Sequence, residues 1–232
     1  MKKTELLGFI SRYSLGGNVE SVKWQSSKDT LITTFVSTDK TLKGTVKASV
    51  GNITDAEIGI FETSQLVRML SIMQEDMNAT ASKTSLMFSD KFTQFSYVLS
   101  DLDVIPKVPK LKMTPSFTST IKINDHFVDR FVKSYGALPN SDFFTIEADA
   151  IGKQVMFGYS NTNANRISFD IEADADIDTI HFSSNLVREV LVANKGTEGT
   201  LEISPVGLAR IKFKNKLYES EYLLVNKQID GE

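Results

Sequence analysis

Cysteine is absent from this 232-residue chain, and histidine occurs only at His126 and His181. The first absence excludes disulfides, zinc fingers, iron–sulfur clusters and thiol nucleophiles together, and suits a reducing compartment. The second leaves little for imidazole chemistry: neither histidine sits in a ligand or base motif, so both read as structural residues. A glycine-rich phosphate loop is missing too. Gly16-Gly17 and Gly196-Thr197-Glu198-Gly199 lack the lysine and the strand-to-helix context that such a loop requires, and turn chemistry accounts for them. No apolar run approaches the ~20 residues that span a bilayer. Met1 to Ile10 becomes amphipathic too early for a signal peptide, so the expected location is the cytoplasm. Excess charge of one sign is also lacking: 26 Lys and Arg against 29 Asp and Glu give a net charge of −3. That balance argues against a chain that coats nucleic acid over its whole surface, yet leaves room for a local basic one.

What is present is a repeat. Ser64-Gln65-Leu66-Val67-Arg68-Met69-Leu70 lies over Ser184-Asn185-Leu186-Val187-Arg188-Glu189-Val190, an offset of 120. Phe88 to Leu99 lies over Phe213 to Leu224 at an offset of 125, matching Lys91 with Lys216 and Tyr97 with Tyr222. Leu6, Phe9, Ile10 and Tyr13 match Val128, Phe131, Val132 and Tyr135 at 122. Three collinear matches with drifting offsets are the trace of a duplication with loop insertions, and repeats determine architecture more firmly than a single motif does. The expected organisation is a first domain over 1–104, a connector over 105–118 and a second domain over 119–232. Each half is long enough to bury its own core.

Local patterning fills in each half. Thr4 to Tyr13 reads as a helix stopped by Gly16-Gly17. Strands are expected over 19–24, 31–37, 45–50 and 56–61, then a helix over 64–74, then strands over 79–81, 85–89 and 95–99. The stretch 100–119 holds three of the five prolines (Pro106, Pro109, Pro115) and Lys107, Lys110 and Lys112 without any period, so it reads as an extended connector. A helix over 124–135, stopped by Gly136, opens the second half. Strands over 143–148, 154–159, 166–171 and 178–182 follow, then a helix over 184–194 and strands over 200–204, 209–213 and 219–225. The predicted class is α+β, two tandem units of helix, strands, helix, strands.

Candidate chemistry is sparse. Glu172, Asp174, Asp176 and Asp178 alternate, but without the glycine and distal glutamate of a calcium loop they read as a solvated acidic edge. Asn52-Ile53-Thr54 and Asn78-Ala79-Thr80 match glycosylation sequons only nominally. The polar faces of the helices say more: Lys2, Lys3 and Arg12 lie on or beside the first, Arg68 on the second, Arg130 and Lys133 on the third, Arg188 and Lys195 on the fourth. Any soluble helix has a charged face. Here, though, Arg68 and Arg188 hold the same place in the repeat, and basic residues on equivalent helices would make a surface for phosphates while the strands carry acid.

With these residues in view the chain resembles the sliding clamps of DNA replication, the PCNA-like fold, and most nearly the tailed-phage type of polymerase processivity factor. The resemblance spans the chain and is strongest in Thr4 to Ile10, Ile58 to Ile72 and Ile121 to Leu191. It implies three chains closing a ring of six similar domains around sequence-independent double-stranded DNA, with helices lining the hole and sheets outside. It further implies an ATP-dependent clamp loader, no cofactor and no enzymatic reaction. Subunits would meet edge to edge through 79–89 of one and 143–159 of the next. A polymerase C-terminal peptide would dock between Leu102, Val104 and Ile105 of the connector and Tyr222, Leu223 and Val225 of the last strand, with Trp24 close by. For a viral chain the location would be the host cytoplasm. Two other classes fit the composition: a β-rich virion or scaffolding protein, and a metal-dependent hydrolase using the acids of 172–178.

Overall fold

Period-two alternation builds most of this protein. In Val22-Lys23-Trp24-Gln25-Ser26, Lys23 and Gln25 turn toward water while Val22, Trp24 and Ser26 are buried, the signature of a sheet packed on one face. A computed structural model describes residues 1–51, 53–110, 115–148, 152–158, 164–175 and 177–227. It divides into two units, the first Met1–Lys110 with Asn215–Ser220, the second Leu111–Lys214 with Glu221–Glu232. The division falls inside the expected connector. The one departure is that residues 215–220, expected in the second domain, belong to the first unit.

The first unit runs α1 (Lys3–Ser14), β1 (Val22–Ser27), β2 (Thr30–Val36), β3 (Leu42–Ser49), β4 (Ala56–Ile60), α2 (Thr63–Ser71), β5 (Asn78–Ala81), β6 (Ser85–Ser89) and β7 (Gln94–Val98). One antiparallel sheet has the order β4-β1-β2-β3, and β5-β6-β7 form another. Helix α1 buries Leu6, Phe9, Ile10 and Tyr13. Trp24 meets Phe9 at 5.5 Å and Tyr13 at 6.2 Å, both edge-on, the geometry that ring quadrupoles favour. Leu15 in the left-handed region ends the helix, its amide donating to Ser11 O, followed by Gly16 and Gly17 at positive φ. Helix α2 is anchored at its N-terminus: Thr63 N–H donates to Glu20 O at 3.0 Å and Ser64 N–H to the Glu20 carboxylate at 2.8 Å. An anion there also complements the helix dipole.

The second unit repeats the plan with one strand in front: β8 (Ser119–Ile123), α3 (Asp125–Ala137), β9 (Phe143–Ala148), β10 (Lys153–Phe157), β11 (Ile167–Asp170), β12 (Ile180–Ser183), α4 (Ser184–Ala193), β13 (Gly199–Ser204), β14 (Leu208–Lys214) and β15 (Tyr218–Val225). Its sheets have the orders β11-β10-β9-β12 and β15-β14-β13-β8. Asn124 caps α3 by accepting from Phe127 N–H at 2.9 Å, and Ser183 caps α4. Phe131 on α3 touches Phe144 and Phe157, each at 4.9 Å, in edge-to-face contacts at the centre of the core.

Three expectations change. Strand β8 is an addition: no strand was expected between the connector and the helix over 124–135, and pairing with β13 fixes it, Ile121 opposite Leu201. Helix α3 passes through Gly136, which faces open space. The segment 143–159 is not an edge: β9 and β10 are interior, and among the described residues the sheet ends at β11 and β12. Tyr159 lies outside those residues. In the first unit the segment 79–89 holds the end strand β5 and the interior strand β6, and β7 is the other end.

The cores set a stability prediction. Trp24 and Phe131 are fully buried, so either residue replaced by alanine lowers unfolding free energy by about 3–5 kcal/mol. Ile72, 64% exposed, replaced by alanine shifts it by no more than about 0.5 kcal/mol. Urea unfolding of the three variants measures the contrast.

Candidate functional site

In each unit the helix pair presents one surface and the sheets another, and candidate residues fall on both. Around α1 and α2 the cations are mostly occupied. Lys2 forms an ion pair with Asp76 at 2.6 Å, which raises the lysine pKa and lowers that of the carboxyl. Lys3 donates through Nζ to Met73 O at 2.6 Å. Arg12 corrects the helical-wheel reading: it is buried, its guanidinium stacked 3.9 Å from the centre of the Tyr218 ring and donating to Gly8 O at 2.7 Å. It is a packing residue of the first unit and presents no charge to a phosphate. Arg68, in the last turn of α2, is exposed.

Around α3 and α4, Lys195 pairs with Asp129 at 3.2 Å. Arg188 pairs with Glu189 and lies over the Tyr135 ring. Arg68 and Arg188 therefore share a repeat position and differ in surroundings, because Glu189 stands where the first unit has Met69. Arg130 and Lys133 are exposed. Among the described residues Arg68, Arg130 and Lys133 form no ion pair.

The sheet surface of the first unit carries a groove of about 560 Å³. Its floor is the outward face of β1, β2 and β4. Lys23 and Glu57 bridge the strands at 2.9 Å, and Gln25 adds a hydrogen bond to the same carboxylate, which lowers the Glu57 pKa. Its wall is the start of the connector: Leu102, Asp103, Ile105, Pro106, Lys107 and Val108. The wall is fastened at both ends. Ser100 N–H donates to Gly59 O at 3.0 Å, where a Cβ on Gly59 would sit 2.4 Å from Ser100 O. Lys43 Nζ donates to Pro109 O at 3.0 Å. Leu102 lines the groove half-exposed, Ile105 lines it largely buried, and Val104 points to water beside it.

The other expected partner residues belong to the second unit. Tyr222 is corrected from a contact residue to a core one: it is fully buried, and Asn194 Nδ2 donates to its hydroxyl at 3.1 Å. Leu223 is half-buried and Val225 exposed. Trp24 is likewise core, not groove. Sequence reasoning missed Lys23, Gln25 and Glu57 as a floor, although alternation with buried Val22, Trp24 and Ile58 marks them as outward. It also expected acid on the strands, whereas the outward face of β1 and β3 carries Lys23, Lys43 and Lys47.

The second unit's acids are partly structural. Asp174 accepts from Thr120 N–H at 2.6 Å, and Asp176 lies outside the described residues. Among those residues no group of three or more His, Asp or Glu is placed to hold a metal ion. His181 Nδ1 shares a hydrogen bond with the Thr145 hydroxyl at 2.9 Å. No helix among the described residues is long and apolar enough to cross a membrane.

This arrangement of strands and helices is that of the PCNA-type clamps. Against solved structures, the chain matches A. fulgidus PCNA bound to the C-terminal region of FEN-1 with a TM-score of 0.77 and 16% identity, over 100% of this chain and 98% of that one. It matches the PCNA2–PCNA3 complex of Sulfolobus tokodaii at 0.74 and 9% identity, over 98% of each chain. It matches the proliferating cellular nuclear antigen of Entamoeba histolytica at 0.71 and 12%, over 98% and 96%. No family model and no curated protein matches the sequence. At these identities the likeness is one of fold.

The two arginines on the first unit's helices predict opposite behaviour. Arg12→Ala lowers unfolding free energy by about 2 kcal/mol through the lost charged hydrogen bond and ring stacking. Arg68→Ala stays within about 0.5 kcal/mol of wild type, as exposed substitutions do. Thermal and urea unfolding of both variants checks this.

Proposed function

We propose that this chain is a DNA sliding clamp: a ring that encircles duplex DNA without reading its sequence and tethers a replicative polymerase, with no reaction of its own. The observation that carries the reading is an asymmetry between equivalent strand edges. In the first unit the opening residues of β15 lie beside β3, Ser49 N–H donating to Leu217 O at 2.8 Å. In the second unit the equivalent strand, β11, ends its sheet, and β7, the repeat equivalent of β15, ends another. Open edges are liabilities that proteins pair or cover. Pairing β7 of one copy with β11 of the next satisfies both at once. A head-to-tail contact of this kind either closes by rotation or grows into a filament, and three copies closing is the reading we adopt.

A ring that slides needs phosphate attraction spread over few cations, since each phosphate neutralised steepens salt dependence. Arg68 and Lys133 supply it, with Lys2, Lys3, Arg188 and Lys195 muted by the partners described above. Opening such a ring around DNA calls for an ATP-dependent loader. The groove under the connector is the partner site, with Leu102 and Ile105 beside its polar floor, and Val104, Leu223 and Val225 are exposed or half-exposed apolar groups for the same class of ligand. An apolar peptide anchor that also pairs its backbone with an extended segment is a recurrent recognition mode, and a neighbouring fold carries the C-terminal region of FEN-1. The tailed-phage lineage and a host-cytoplasmic setting complete the proposal.

Native mass measurement tests the ring and retention on circular against linear DNA tests encirclement. A species of three chains, held on circular DNA and lost from linear ends, is the expected result; a monomer at every concentration, or a twofold dimer, overturns it. Arg68→Glu with Lys133→Glu leaves the ring assembled and reduces processive synthesis. The salt slope of DNA retention falls by about 0.9 for each phosphate contact removed. Leu102→Ala with Ile105→Ala weakens a polymerase C-terminal peptide by about tenfold or more, the effect of removing buried anchors; unchanged affinity removes the groove from the proposal.

A further inference from the structure

Two hairpins of this chain end in the same turn; among the described residues one of them docks its tip on a helix, whereas the other is held at its first residue, Asp90, which accepts from Gln74 N–H at 2.7 Å, and leaves Phe92 exposed. In the β14–β15 hairpin Asn215 N–H donates to Tyr218 O at 2.9 Å, and the Asn215 side-chain oxygen accepts from Leu217 N–H at 2.9 Å and Tyr218 N–H at 2.8 Å. In the β6–β7 hairpin Asp90 N–H donates to Thr93 O at 2.9 Å, and one Asp90 carboxylate oxygen accepts from Phe92 N–H at 2.8 Å and Thr93 N–H at 2.7 Å. The turns correspond residue for residue at the offset of 125 that the sequence repeat shows. Leu217 answers to Phe92 and Tyr218 to Thr93.

The seated tip shows what such a turn docks on. In the first unit the Tyr218 hydroxyl donates to Glu5 O on α1 at 2.9 Å, and Gly8 is glycine because a Cβ there would lie 2.4 Å from that hydroxyl. At the helix offset of 122, Glu5 and Gly8 correspond to Phe127 and Arg130 on α3. Those two residues line a pocket of about 310 Å³ in the second unit, closed on its other side by Phe169, Asp170, Ile171 and Glu172 at the end of β11. The large partner has changed sides between the two pairs: tyrosine against glycine in one, threonine against arginine in the other. Beside Thr93 stands Phe92, 71% exposed, with Lys91 over its ring at 5.2 Å. The pocket offers the aromatic wall of Phe127 and Phe169, 5.8 Å apart and edge-on, with Asp170 and Glu172 exposed at its rim.

We infer that the pocket between α3 and β11 is the seat for the Lys91–Phe92–Thr93 hairpin tip of a second copy of this chain. Phe92 packs on Phe127 and Phe169, Thr93 leaves room for Arg130, and Lys91 faces Asp170 and Glu172. The backbone agrees. Ile171 N–H bonds to Lys153 O, so the neighbouring Asp170 turns its amide to the open side of β11, as Ser49 does in offering its own to Leu217. Arg130 is thereby an interface residue, not a phosphate contact. This inference rests on the head-to-tail ring proposed above and adds the side chains that lock it.

The chain's lack of cysteine makes the test clean. Thr93→Cys with Arg130→Cys, oxidised in the full-length protein, yields covalent multimers up to the closed ring, while Thr93→Cys with Lys195→Cys yields none. Phe92→Ala, at an exposed position, leaves the monomer's unfolding curve unchanged and weakens self-association by about tenfold to a hundredfold, as a central aromatic anchor does. Lys91→Glu weakens it too, and Asp170→Lys in the same chain restores part of the loss. If the wild type assembles but Phe92→Ala associates as tightly and the cysteine pair stays unlinked, the seat is wrong and the ring stands. If the wild type is monomeric at every concentration, the ring reading falls and takes the seat with it.

Discussion

Everything distinctive in this structure follows from the need to cover the edges of its sheets. A strand with one side unpaired exposes a row of amides and carbonyls that will pair with whatever extended chain arrives. The first unit meets that need at β3 with the opening residues of β15, and Tyr218 then reaches α1, where Gly8 makes room and Arg12 closes over the ring. This contact explains three features at once: the burial of an arginine, a glycine in mid-helix despite its cost of about 1 kcal/mol, and the assignment of 215–220 to the first unit. The same constraint applied to β7 and β11 has no solution within the described residues, and so argues for a second copy.

Electrostatics works within that frame by subtraction. The helices carry many cations, yet Lys2, Lys195 and Arg188 are held by Asp76, Asp129 and Glu189, and Lys3 by a backbone carbonyl. The exposed pairs among them, those of Lys2 and Lys195, contribute little to stability, typically under about 1 kcal/mol. Their consequence is to soften the attraction for phosphate. On the sliding-clamp reading proposed above, a surface that holds DNA and still moves along it benefits from few unpaired cations, and the ion pairs leave few.

Much of the fold was legible because it rests on local rules. Alternation marked most strands, the helices announced themselves by spacing, and the duplication fixed the order of elements. What escaped was set by partners distant in sequence. Arg12 and Arg68 look alike on a helical wheel; only Tyr218, far along the chain, separates the buried one from the exposed one. Ser119 to Ile123 is a strand because β13 accepts it, and beside a proline-rich stretch its five residues carry too weak a period to stand out. Tyr222 opens an apolar run that reads equally as core or contact, and the hydrogen bond from Asn194 settles it as core. The helix-face cations were legible as a set; which of them are paired was not, because Asp76 and Asp129 are near in space and unremarkable in the pattern.

Duplication creates a hazard that two distinct hairpin seats, the one observed at α1 and the one inferred at α3, would address. If both halves had kept identical tips and identical seats, the β6–β7 hairpin of a neighbouring copy could compete for α1, and the chain's own β14–β15 hairpin could dock on α3. The first error would open the chain; the second would join copies in the wrong register. Specificity against such alternatives requires a clash or a hole in each wrong pairing, not only a fit in the right one. The exchange of large and small residues supplies both. Tyr218 brought to α3 would meet Arg130 where it needs Gly8, and Thr93 brought to α1 would leave the space over Gly8 empty. A volume mismatch of a whole aromatic ring in a buried contact costs several kcal/mol, enough to keep the covalent junction and the junction between copies from trading partners.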